Sequence, residues 1–182
     1  MQLITNILLC SLVFLPNVVL AQKNDINKNL PIEVKNIIVD TSLSKKKSND
    51  MINAAKNFYS FWDTGNEKFA KVSIDENFMD HMLPKGRPQG PSGPIFASKN
   101  FRKAVPDLHC EIQELLLVGD RVIARLSFTG KFTGVFMDKK GSGGPVNFNA
   151  IDILRIKNGK ITDNWHLEDN LTLMQQLGVV SN

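Results

Sequence analysis

The chain has 182 residues, a formal net charge of +4 at pH 7, 42% hydrophobic residues and 22% charged residues. That mix belongs to a globular chain of one-domain size and excludes a disordered one. Six lysines against three acids within residues 22–49 hold most of the excess charge; the near-neutral remainder has no basic face to track phosphates, so nucleic acid is excluded as a partner.

Chain order starts with an apolar leader. Residues 1–21 contain no Lys, Arg, Asp or Glu, and the apolar run from Ile7 to Leu20 is broken by Pro16 and Asn17. It is shorter than the about 20 residues a membrane-spanning helix needs, and it ends in Val19-Leu20-Ala21, a small-residue cleavage pattern. We expect a signal peptide over 1–21, an exported product (periplasmic or secreted), and no stable membrane insertion after cleavage. An uncleaved anchor is the competing reading, because the only positive charge before the run is the α-amino group. Cleavage removes Cys10 and leaves Cys110 alone, so no internal disulfide is expected.

Residues 22–49 are polar and rich in Asn and Lys, with one short apolar stretch, Ile37-Ile38-Val39. They read as an arm or linker, dispensable for folding, before a single domain over 50–182. Ser48-Asn49-Asp50 is an N-cap cluster, and Ile52, Ala55, Phe58, Tyr59 and Trp62 follow at helical spacing until Thr64-Gly65. A second short helix is expected over 67–72, then a short extended piece at Phe78-Met79-Asp80-His81. The span 84–94 is a Pro/Gly loop, and Pro94 suits the first turn of a third helix that Pro106 ends.

From Leu108 the apolar period becomes two. Leu108, Cys110 and Ile112 share one face, and the phase then shifts into Leu115-Leu116-Leu117, the mark of a bulge. Gly119-Asp120 turns the chain into Val122, Ala124, Leu126 and Phe128. A loose turn over 141–145 precedes a long strand carrying Val146, Phe148, Ala150, Asp152, Leu154 and Ile156 on one face. Asn158-Gly159 turns it into a return strand over 161–167, and a short C-terminal helix carries Leu171, Met174 and Leu177. Helices first and an antiparallel meander afterwards predict an α+β domain.

Chemistry has few places to sit. His81, His109 and His166 are scattered and Cys110 is alone, so no metal site is expected. No nucleophile elbow and no phosphate-cradling Gly-rich loop is present, so no cofactor is expected either. Asp152 stands out, because a carboxylate on an apolar strand face is costly unless paired, hydrated or used. Its partner depends on the hairpin. A two-residue Asn158-Gly159 turn faces it with Trp165, whereas a three-residue loop places it on one face with His166. His81 and Met82 are further candidates for a pocket.

The runs Asn57-Phe58-Tyr59-Ser60-Phe61-Trp62-Asp63-Thr64-Gly65-Asn66, Phe78-Met79-Asp80-His81, Val105-Pro106-Asp107-Leu108, Gly119-Asp120-Arg121-Val122, Thr129-Gly130, Ile151-Asp152-Ile153-Leu154-Arg155, Asn158-Gly159-Lys160-Ile161 and Gln175-Gln176-Leu177-Gly178 occur in this order. Together they resemble the SnoaL-like polyketide cyclases, within the nuclear-transport-factor-like superfamily, over about Met51 to Val180. The resemblance implies a barrel-like cone of helices over a strongly curved, mostly antiparallel sheet, an apolar pocket, and a homodimer packed through the sheets. It implies intramolecular aldol chemistry without metal or cofactor, run by an aspartate and a histidine on the last two strands. The family's aspartate falls on His166 and its histidine on Asp152, so the two residue types are exchanged here. The expected site is then Asp152 and His166 as the acid/base pair, with Phe58, Trp62, His81, Met82, Trp165 and Asp169 around a small apolar molecule. Two functions follow: a cofactor-independent lyase, isomerase or cyclase acting next to a carbonyl, or a non-catalytic exported carrier or sensor.

Overall fold

The computed structural model describes residues 32–181. The leader expected over 1–21 and the start of the arm lie outside the described residues. Helix α1 runs Lys45–Thr64, capped by Ser44, whose hydroxyl accepts from the Lys47 N–H, and closed by Gly65 at φ 71°. Only a residue at ease in the left-handed region ends a helix this way. Met51, Ala55, Phe58 and Tyr59 are buried along one face of α1, while Ile52 and Trp62 are partly buried against the core. Helix α2 (Glu67–Ser73) is capped by Asn66, and helix α3 (Ser92–Ala104) follows the Pro/Gly loop. Helix α4 (Asn170–Gln176) is short and C-terminal.

Among the described residues, six strands form one sheet in the order β1-β3-β4-β7-β8-β2. They are β1 (Ile37–Val39), β2 (Ile74–Asp80), β3 (His109–Val118), β4 (Arg121–Phe132), β7 (Gly144–Lys157) and β8 (Lys160–Glu168). A small hairpin, β5 (Val135–Phe136) with β6 (Lys139–Lys140), interrupts the meander where a loose turn was expected to begin only at 141. The central pairs are antiparallel and the two edge pairs, β1·β3 and β2·β8, are parallel. The sheet is curved, yet β1 and β2 remain unpaired with each other, so the barrel-like cone is not a closed barrel. The bulge foreseen in β3 lies between Ile112 and Glu114.

The arm differs from expectation over its described part. β1 pairs with Leu115, Leu116 and Leu117 of β3, and Ile32, Val34 and Leu43 pack on the core. The first helix starts at Lys45 and not behind Ser48-Asn49-Asp50, because Ser44 supplies the cap. Residues 32–49 are therefore part of the folded domain. Their polar composition hid this, since an edge strand needs backbone partners more than apolar side chains.

The β7–β8 hairpin starts with the two-residue turn, but neither register considered above runs through to Asp152. Lys157 pairs with Lys160 and Ile156 with Ile161 across a two-residue turn, with Asn158 at φ 49° and Gly159 at φ 72°. The register then shifts, with Arg155 opposite Asp163, so Thr162 is an extra residue on β8. That bulge brings His166 opposite Asp152.

Candidate functional site

Helices α1 and α3 stand over the inner face of the sheet and enclose a cavity of about 700 Å³. Its wall is aromatic. Trp62 meets Phe128 edge-on at 6.2 Å, Phe128 stacks on Phe148 at 5.1 Å, and Phe148 meets Phe101 at 5.8 Å. Phe58 and Trp62 both line this space, as do Asp152 and His166.

The floor is polar. Strand alternation sends Asp152 inward from β7 between Ala150 and Leu154, all three buried. Its Oδ2 accepts a hydrogen bond from the Tyr59 hydroxyl at 3.1 Å. Burial pushes the Asp152 carboxyl up to about 7; the His166 charge and the Tyr59 hydrogen bond pull the other way, and Glu168 and Asp80 add to the rise. The Tyr59 phenol is itself driven well up by burial and by the neighbouring Asp152 charge, so it remains a donor.

His166 is held from both sides. Its Nδ1 lies 2.8 Å from Glu168 Oε1, and its Nε2 lies 3.1 and 3.2 Å from the two oxygens of Asp80. Burial opposes the imidazolium, but the hydrogen bonds and charges of Asp80 and Glu168 outweigh it and raise the histidine to about 10. Both ring nitrogens therefore carry protons at neutral pH and both are committed. Burial works against the Asp80 and Glu168 charges, yet their bonds to His166 hold both carboxyls below the usual range. Arg87 adds a contact to Asp80 Oδ2 at 3.4 Å. Gln89 clamps the Arg87 loop to β2, accepting from the Asp80 N–H at 2.8 Å and donating to the Asp80 carbonyl at 2.9 Å.

Sequence reasoning did not single out Asp80, Glu168, Asn164 or Arg87, which also line the cavity. The signal existed. Asp80 shares the buried phase of Phe78 in β2, and Asn164, His166 and Glu168 are spaced by two in β8.

Four other expected pocket residues lie elsewhere. Trp165, next in chain to His166, points to the opposite face of the sheet, where its ring stacks on His81 at 4.2 Å beneath Arg121 and Arg155. His81 hydrogen-bonds Asp163 at 2.8 Å on that side. Met82 is 49% exposed beyond the end of β2. Asp169 caps α4 by accepting from the Thr172 N–H at 3.1 Å. The strand period of two turns Trp165 away once His166 faces inward, and His81 away from inward Asp80, whereas Met82 and Asp169 lie beyond the ends of their strands. Among the described residues no three His, Cys, Asp or Glu side chains are grouped to hold a metal ion.

The family profile of the SnoaL-like polyketide cyclase matches residues 52–177. The chain belongs to the SnoaL-like polyketide cyclase family. A provisionally named polyketide cyclase from Bacillus cereus ATCC 10987 is 54% identical, with a TM-score of 0.76 over 84% of this chain and 97% of that one. IdmH, from Streptomyces antibioticus and also provisionally named a polyketide cyclase, is 22% identical with a TM-score of 0.63, over 74% and 99% of the two chains. A SnoaL-like polyketide cyclase from Agrobacterium tumefaciens str. C58 is 24% identical with a TM-score of 0.57, over 70% and 98%. These two more distant structures speak for the fold alone. No curated protein matches the chain significantly. Membership supports a cyclase- or isomerase-type function.

Proposed function

We propose that this SnoaL-like protein binds a small, mostly apolar carbonyl compound and moves a proton on the carbon beside the carbonyl, as a cofactor-independent lyase, isomerase or cyclase. Asp152 is the acid/base group. The observation that carries this reading is a buried carboxyl raised to about 7 on the floor of an aromatic cavity, with one oxygen held by Tyr59. A proton-transfer group works best with a pKa near the working pH. His166 acts differently from a free acid: its two N–H groups are bound to Asp80 and Glu168, so it contributes a fixed positive charge beside Asp152. That charge stabilises the negative charge that develops on the substrate as an enolate forms.

The reaction is testable without the natural substrate. In deuterated water, a panel of bicyclic ketones such as 2-tetralone should exchange α-hydrogen for deuterium faster with the protein than without it. The gain should rise as pH passes about 7, where Asp152 ionises, and should vanish in Asp152→Asn. No acceleration across the panel would sink the enzyme reading. A carrier or sensor that holds the ligand without turnover would then lead, consistent with a histidine whose nitrogens are both engaged.

We also propose export, which rests on the Val19-Leu20-Ala21 ending and the uncharged leader. Mass spectrometry of the soluble extracytoplasmic fraction should find an N-terminus at Gln22, whereas intact chain in the membrane would refute cleavage.

A further inference from the structure

We infer that Asn164 is a substrate-binding residue, which holds the substrate's carbonyl oxygen, or the enol derived from it, beside Asp152. The inference deepens the proposed function and rests on it. Asn164 is 6% exposed and lines the cavity from β8, two residues before His166. Its Oδ1 is buried with no hydrogen-bond partner among the described residues. A buried amide oxygen without a partner is unfavourable in a protein interior, and such atoms are uncommon enough to need a reason.

The neighbours sharpen the assignment. The two nitrogens of His166 are occupied by Glu168 and Asp80, and the Tyr59 hydroxyl is donated to Asp152. The Asn164 carboxamide on this floor is left with unspent hydrogen-bonding capacity. By turning over, it presents either N–H to a carbonyl or C=O to an enol hydroxyl. Position also fits. Asn164 pairs with Leu154 and His166 with Asp152, so Asn164 is the diagonal neighbour of Asp152. Diagonal positions lie about 7–8 Å apart. One C–C=O unit fills such a gap when its carbon sits ~3 Å from the carboxylate and its oxygen ~2.9 Å from the amide. The ligand class that follows is a neutral ketone inserted carbonyl-first, its apolar body against Trp62, Phe128 and Phe148.

Two probes of nearly equal shape test this: 2-acetylnaphthalene and 2-ethylnaphthalene, titrated by ligand-observed NMR against the full mature chain. Wild type should bind the ketone at least about ten-fold tighter than the hydrocarbon, as expected when a site holds an otherwise unpaired polar group. Asn164→Leu should bring the two affinities within about three-fold, leave hydrocarbon binding unchanged, and unfold at no lower denaturant concentration than wild type. Unchanged discrimination, or a loss of stability with equal loss of both ligands, would overturn the assignment and make the amide structural. Asn164→Asp, of the same shape, serves if the leucine variant does not fold; it should weaken the ketone selectively, and equal weakening of both probes would overturn the assignment. Failure of wild type to bind either probe would bring down the pocket reading and this inference together. Asn164-dependent discrimination without deuterium exchange would leave the inference standing and remove only the catalysis.

Discussion

Asp152 shows how burial converts a common side chain into a pH-dependent element. Its folded-state pKa, about 7, lies above the ordinary carboxylate value of 3.8, so the native state holds the proton more tightly than the unfolded chain. The stability this contributes is complete below pH 4 and is lost as pH rises to about 7, a change on the order of 4 kcal/mol. Asp80 and Glu168 run the opposite way, since their lowered values contribute stability that is lost as pH falls through the acid range. His166, raised to about 10, contributes fully below about 6.5 and fades as pH rises through 10. Denaturant unfolding at pH 4 and pH 8 should therefore show Asp152→Asn more stable than wild type at pH 8 and not at pH 4. A variant less stable at pH 8 would mean that the carboxylate is structural, held by Tyr59 for the fold.

At the scale of elements, the segment ahead of α1 belongs to the sheet. The Lys35 N–H donates to the Ile112 carbonyl at 3.1 Å, the Leu115 N–H to Asn36 at 2.9 Å and the Asp40 N–H to Leu117 at 2.9 Å. Ser44 caps the helix that carries Phe58 and Tyr59 into the site. Trimming the chain to begin at residue 46 removes these bonds, at roughly 1 kcal/mol each, and a cap worth about 1 kcal/mol. We expect a loss of about 3 kcal/mol or more by chemical denaturation, in place of the dispensable arm that composition suggests. Retention of wild-type stability would show that β1 contributes only a passive edge.

For the whole molecule, the two faces of the sheet have separate tasks. The inner face carries the cavity. The outer face presents Ile151 opposite Leu167 and Ile153 opposite Trp165 on adjacent strands, with Leu167 68% exposed. We propose that a second copy of the chain covers this patch, in line with the family resemblance; contiguous exposed apolar surface commonly marks an interface. Sedimentation of the purified protein should give twice the single-chain mass, and Leu167→Glu should halve it. A wild-type monomer at high concentration would refute the pairing.

Periodicity alone determined much of this protein. The helix of Phe58 and Tyr59, the meander after Leu108, the inward face of β7 and the exposure of Asp152 to an apolar wall were all legible, because helix and strand periods tie side-chain direction to spacing. Motif order carried the family resemblance as well. What the tertiary structure decided is the company each residue keeps. One extra residue, Thr162, set His166 opposite Asp152 and turned Trp165 away; the two hairpins read from the sequence did not include this bulge, because no local pattern marks it. Asp80 reaches His166 from a strand 86 residues earlier, and no local pattern announces a contact at that range. The pKa of Asp152, the commitment of both His166 nitrogens and the Asn164 amide oxygen left without a partner among the described residues all arise from burial and neighbours, quantities that exist only once the chain has closed on itself.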